Sequence, residues 1–136
     1  MKLLILSDLH NDISSMPTEI DGRRIDSEAD VVVLAGDIHE GVQSPMWARE
    51  AFPDKPIVLV AGNHEFYGQH WHNNLNRIRQ RSQELGIHFL ENEVVEIGGT
   101  RFLGCTLWTD YLLHGENTKE QCMAEALRFM ADFRYL

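Results

Sequence analysis

Asp8 and His10 stand two residues apart, directly behind a short apolar run. In an extended chain, side chains at i and i+2 leave the same face, so a carboxylate and an imidazole so placed can chelate one ion. The Asp-x-His pattern by itself recurs by chance in many proteins. Its weight comes from two further clusters behind similar runs, Gly36-Asp37-Ile38-His39 and Gly62-Asn63-His64-Glu65. Carboxylate oxygen, imidazole nitrogen and amide carbonyl together suit Mn, Fe or Zn, with Mg also admissible, and are wrong for soft copper or iron–sulfur sites. Asp37 has two oxygens and could bridge a pair of ions. Two metals a few ångströms apart polarise a phosphoryl group and lower the pKa of bound water. Taken singly, Asp8 or Asp37 reads as a carboxylate capping the turn behind a strand. Taken with the two histidines and Asn63, the metal site is the better reading.

The runs that precede these clusters are residues 3–6, 31–34 and 57–60. They are apolar at every position and too short for ordinary helices, the pattern of strands buried on both faces of a parallel sheet. Ligands of open α/β sheets sit at the carboxyl ends of such strands, where all three clusters fall. Ser44 and Pro45 read as an N-cap and a first helical position, with Pro53 ending that helix. Trp71, Leu75, Ile78 and Leu85 at helical spacing, closed by Gly86, predict an amphipathic helix on the sheet. Residues 11–30 read as a long connection with weak helical character. Residues 87–90, 94–97 and 101–107 are expected to add antiparallel edge strands, with Gly98-Gly99 as a tight turn. Met123, Ala126, Leu127, Met130 and Phe133 mark one face of a C-terminal helix over residues 117–133, with Asn117 or Thr118 as its cap.

The chain has 136 residues, a length suited to one domain, taken here as residues 1–136. A net charge of −9 would repel a phosphate backbone, which disfavours general nucleic-acid binding. With 43% apolar and 24% charged residues the composition is that of a packed protein. No apolar run has membrane-spanning length and the N-terminus does not resemble a secretory signal, so no membrane association is expected and the cytoplasm is the expected location. Cys105 and Cys122 lie in apolar surroundings and are expected to be buried spectators. His39 is expected on an exposed loop, with a place lining the site behind the ligands as the rarer alternative, and His70 and His72 on the surface. Trp47, Phe52, Phe66, Tyr67, Trp71 and Trp108 are read first as packing aromatics, a ring stacked on a nucleotide base being the rarer alternative. Gly36 and Gly62 read as backbone room at the strand ends, since no Walker or dinucleotide spacing surrounds them.

Taken in order, Asp8-Leu9-His10, Gly36-Asp37 and Gly62-Asn63-His64-Glu65 resemble the N-terminal motifs of the calcineurin-like metallophosphoesterases, with Glu65 where many members have Asp. The resemblance implies an α/β fold with a mixed, largely parallel sheet and flanking helices, corresponding to the N-terminal half of an αββα sandwich. It implies that Asp8, His10 and Asp37 hold one divalent metal, that Asp37 and Asn63 hold a second, and that His64 is the non-ligand histidine beside the scissile phosphate. The implied reaction is phosphoester hydrolysis by a metal-bound hydroxide acting in line, on a small molecule or a phosphoprotein. The family's later histidine segments have no counterpart here, because His70, His72, His88 and His114 lack the Gly-His context. The expectation is therefore a C-terminally truncated domain holding one metal or none, with an apolar sheet face covered by a second copy. The rival is a non-catalytic remnant acting as a metal-binding, phosphate-binding or oligomerisation module. A receiver-like signalling domain fits less well, since it wants an acidic pair behind the first strand and a lysine behind a later one.

Overall fold

A computed structural model describes residues 1–135. Its centre is a four-stranded parallel sheet in the order β1 (Leu3–Leu6), β4 (Val31–Ala35), β5 (Ile57–Val60), β6 (His88–Phe89). Leu3 to Leu6 pair in register with Val31 to Leu34, and Val32 to Ala35 with Ile57 to Val60. This register brings the ends of β1, β4 and β5 to one edge of the sheet, so the three polar clusters meet.

Strand alternation assigns the two faces. Val32, Leu34, Ile57 and Leu59 point to the side covered by α1 (Gln43–Ala51) and α2 (Trp71–Glu84), where Phe52, Phe66, Ile78 and Phe89 complete the main core. Burying each such side chain is worth about 1.5–3 kcal/mol, which makes this the dominant attachment of the helices to the sheet. Val31, Val33, Val58 and Val60 point the other way, towards a separate antiparallel hairpin of β7 (Glu93–Ile97) and β8 (Thr100–Gly104). Arg49 ties the ends of both helices together, donating to the carbonyls of Phe52 and Pro53 behind α1 and of Leu85 and Gly86 behind α2.

Several expectations need correction. β1 is not buried on both faces, for Leu3 is 41% and Ile5 62% exposed at the sheet edge. β6 joins β5 in parallel, and the hairpin forms its own two-stranded sheet instead of extending the first. The connection over residues 11–30 contains a small antiparallel pair, β2 (Glu19–Ile20) with β3 (Arg23–Arg24). α1 begins before Ser44, which is a buried residue of its first turn, and Val42 at the N-cap makes no side-chain cap. Pro45 still lies where its missing N–H costs nothing. Both cysteines are half-buried, and so is His39, whereas His70 and His72 are exposed as expected. The C-terminal helix is shorter than its periodicity suggested. A 3-10 turn at Glu116–Thr118 leads into α3 (Lys119–Phe129), the helix breaks, and α4 (Asp132–Tyr135) follows. No helix among the described residues is long and apolar enough to cross a membrane.

Candidate metal centre

The chain does not run extended past β1, so the i, i+2 argument for Asp8 and His10 fails in its premise. Asp8 and His10 have φ of 54° and 45°, and Asp37 has 55°. Non-glycine residues in this left-handed region cost energy, and three of them at one sheet edge mark loops bent to a purpose. The bend is held by backbone bonds between the first two loops: Asp8 N–H donates to Gly36 O at 3.1 Å, His10 N–H to Asp37 O at 3.0 Å and Asn11 N–H to Ile38 O at 3.0 Å. Convergence is thus reached by lacing two loops together.

Glu65, which the sequence reading noted only as a variant letter, organises the rest. It is 1% exposed. Its Oε2 accepts the N–H of Asp37 at 3.0 Å and of Gly62 at 2.8 Å, and its Oε1 accepts the N–H of Ile38 at 2.8 Å. Ser44 Oγ lies 2.8 Å from Glu65 Oε1 and 2.7 Å from the His39 carbonyl, with one proton to share between them. A carboxylate is the side chain that can accept this many donors at once. It ties the loop behind β4 to the loop behind β5 and to α1. Asn74, buried on α2, donates to the Glu65 carbonyl at 2.5 Å and fixes the same turn from the helix side.

The two glycines have the close-approach role expected of them. A Cβ on Gly36 would meet the Gly62 backbone nitrogen at 2.9 Å, and one on Gly62 would collide with the Asp37 carboxylate and lie 2.8 Å from its backbone nitrogen. Asp37 Oδ1 in turn accepts the His64 N–H at 2.8 Å.

Within this frame Asp8, His10 and Asp37 each bring a ligating atom within 4.8 Å of the others. A second group shares His10 and adds Asp12 and His64 at the same limit. His10 and His64 meet edge to face, ring centroids 4.5 Å apart. Nδ1 of both rings is buried without a hydrogen-bond partner. His64 Nδ1 lies 3.5 Å from Asp12 Oδ1, inside ion-pair range but without hydrogen-bond geometry. Among the described residues no lysine or arginine forms an ion pair with Asp8, Asp12 or Asp37. Buried nitrogens without hydrogen-bond partners, beside carboxylates that no lysine or arginine neutralises, fit a divalent cation, whose charge and empty orbitals answer both deficits. Asp12 escaped the sequence reading although it continues the spacing of Asp8 and His10 by two more residues.

Asn63, next to His64 in the loop behind β5, is held by the C-terminal segment. Its Nδ2 donates to Tyr67 Oη at 2.9 Å and to Asp132 Oδ1 at 2.6 Å, and Tyr67 Oη donates to Asp132 Oδ1 at 3.2 Å. Asp132 is 9% exposed. Burial pushes the Tyr67 phenol above its ordinary value; the Asn63 amide opposes the rise, and the Asp132 and Asp37 carboxylates add to it. No spacing rule connects Asp132 with Asn63, so sequence reasoning had no signal for it. The remaining aromatics pack on each other: Trp47 edge-on to Phe52, Phe66 stacked on Trp71 at 3.7 Å, and Trp71 against Trp108 at 5.5 Å.

Comparison with known proteins bears on the fold and the family. None of the curated proteins matches the chain. Among solved structures it is similar to a phosphopantetheinyl hydrolase from Mycobacterium tuberculosis, with a TM-score of 0.58 and 19% identity, over 93% of this chain and 50% of that one. At that identity the likeness speaks for the fold alone, and the chain spans about half the length of the neighbour. The model of the calcineurin-like phosphoesterases matches residues 1–132, and with nearly its whole length so matched the chain belongs to the calcineurin-like phosphoesterase family.

Proposed function

We propose that this chain carries the metal-binding half of a phosphoester hydrolase site, with Asp8, His10 and Asp37 as ligands of one divalent cation and Asp37 with Asn63 directed to a second. The observation that carries the reading is the convergence of the first three groups within 4.8 Å, with His10 Nδ1 buried and unpartnered among them. The cation, when bound, supplies Lewis acidity towards a phosphoryl oxygen and acidifies a coordinated water. Mn, Fe and Zn suit the mixed oxygen and nitrogen set best, with Mg less favoured by the imidazole. Three protein groups for the first ion against two for the second make single-ion binding the stronger event.

His64 is the proton donor to the leaving oxygen in this reading. Three observations support the reading: the His64 backbone N–H donates to Asp37 Oδ1, the ring meets His10 edge to face, and Asp12 faces its Nδ1. The substrate is a phosphoester of a small molecule or a phosphoprotein, since an acidic chain does not attract a nucleic-acid backbone. Hydrolysis of an aryl phosphomonoester and an aryl phosphodiester with added Mn²⁺, comparing the chain with Asp37→Asn, tests the proposal. Metal-dependent turnover lost in the variant supports it; no turnover in either protein of equal fold overturns activity of this chain alone.

A second reading has its own observation. The hairpin leaves an open apolar cleft of about 820 Å³ against Val33, Val58 and Val60, flanked by Phe102 and Leu103, and Ile5 is exposed on the strand beside it. A face of this kind invites cover, and a second copy of the chain is the proposed cover, which makes the protein an oligomerisation module. A monodisperse monomer by light scattering at micromolar concentration overturns that reading.

A further inference from the structure

An asparagine side chain can offer a metal only its carbonyl oxygen, and its amide can turn over so that the NH₂ group faces the ion instead. A rigid site must therefore spend hydrogen-bond acceptors on the nitrogen end. At Asn63 both amide protons have one: Tyr67 Oη at 2.9 Å and Asp132 Oδ1 at 2.6 Å. The three groups close a triangle, because Tyr67 accepts from Asn63 and donates to Asp132 at 3.2 Å. Tyr67 is four residues from Asn63 on the same turn, whereas Asp132 arrives from the far end of the chain, on α4, and is buried there. A buried carboxylate is expensive unless hydrogen bonds compensate it, and the two that Asp132 accepts from side chains among the described residues both belong to this triangle.

We infer that Asp132 is a positioning residue for the metal centre: it accepts from the Asn63 amide, fixes which end of that amide faces away from Tyr67, and so presents Oδ1 as the ligand. The inference rests on the reading of Asn63 as a ligand, and it concerns what makes Asn63 one. Its chemistry is that of outer hydrogen-bond partners elsewhere, whose removal costs about 10–100-fold in metal affinity. The same contact makes the metal centre depend on the C-terminal segment, for no other described group from beyond Tyr67 holds Asn63.

Two measurements on the full chain test this. In the metal-free protein, the side-chain amide protons of Asn63, observed by ¹⁵N-resolved NMR, are expected to be slow in exchange and well separated, and Asp132→Asn is expected to collapse that pattern while backbone resonances of β1, β4 and β5 stay in place. An Asn63 amide that exchanges freely in the unsubstituted chain overturns the inference without touching the proposed function. The second measurement is calorimetric Mn²⁺ titration of the chain, Asp132→Asn, Asn63→Ala and the double variant. A loss of about tenfold or more from Asp132→Asn alone is expected, with no further loss when the same change is made in the Asn63→Ala background. A charge effect or a general loosening of α4 would weaken binding equally in both backgrounds, and that additivity overturns the inference. Failure of the proposed function looks different: Asn63→Ala then leaves Mn²⁺ binding unchanged, as does Asp37→Asn, and the NMR result stands by itself.

Discussion

The loops behind β1, β4 and β5 and the helix α3 are held by opposite means. The loops have almost no regular structure, yet their backbone donors find Gly36, Asp37, Ile38 and above all the buried Glu65 carboxylate. α3 is a regular helix but buries only Ala126, leaving Leu127 at 59% and Phe129 at 68% exposure. Regular secondary structure therefore does not locate a side chain to the precision that ligation needs. Buried polar straps, anchored on a parallel sheet, do so even through residues with strained backbone.

The sharpest way to break this contrast is to remove the strap. Glu65→Ala leaves the N–H groups of Asp37, Ile38 and Gly62 without their acceptor in a closed site. At about 1–3 kcal/mol for each buried group left unsatisfied, a loss of at least about 3 kcal/mol is expected, read from urea unfolding. Glu65→Gln should lose less, because one oxygen remains to accept while the NH₂ group confronts an N–H. A loss below about 1 kcal/mol in the alanine variant, against the cost expected for unmade buried bonds, would mean that the strand ends are fixed by the sheet alone.

The same contrast explains what was legible in the sequence. The parallel sheet could be read because Leu3–Leu6, Val31–Ala35 and Ile57–Val60 are apolar at nearly every position, and the polar residues behind each run had to fall at one edge. α2 was legible to its closing glycine, since Trp71, Leu75 and Ile78 repeat at helical spacing. Asp8, His10 and Asp37 could be grouped because strand order alone brings them together, even though the supposed extended chain after β1 is in fact bent through positive φ. Glu65 and Asp132 were not legible as structural partners. Their roles depend on which backbone donors and which amide lie opposite them, and tertiary packing decides that. The C-terminal helix misled for the reverse reason: its apolar periodicity is real, but the surface that it would need to pack on is not supplied by the described residues, and Met130 ends the helix.

A smaller effect sharpens the comparison from the other side. Leu127→Ala removes a side chain that is mostly in water and keeps a good helix former, so unfolding free energy should change by no more than about 0.5 kcal/mol. The check is the same urea titration used for Glu65. A loss several times larger would show α3 to be packed in solution against something, with a second copy as the first candidate, and concentration dependence of the midpoint would identify it.

The smallest effect is invisible at neutral pH and lies at Tyr67, where the loop region and the C-terminal segment touch. Burial, with help from Asp132 and Asp37, raises the phenol above its ordinary value of 10.0 in the folded chain. Below that value the phenol is protonated in both folded and unfolded states, and the shift contributes nothing that changes with pH. As pH rises past the unfolded value, the unfolded chain gives up its proton first while the folded one keeps it. Fewer protons on the unfolded state make the slope of unfolding free energy with pH negative, so stability falls until pH passes the folded value. Phenolate absorbance should therefore show one of the 3 tyrosines titrating late, assigned by Tyr67→Phe. Asp132→Asn removes two of the upward causes but not burial, the largest, and should bring the midpoint part of the way back. If the midpoint does not move, Asp132 is not beside Tyr67 in solution, and the tie between the C-terminal segment and the candidate metal centre is lost with it.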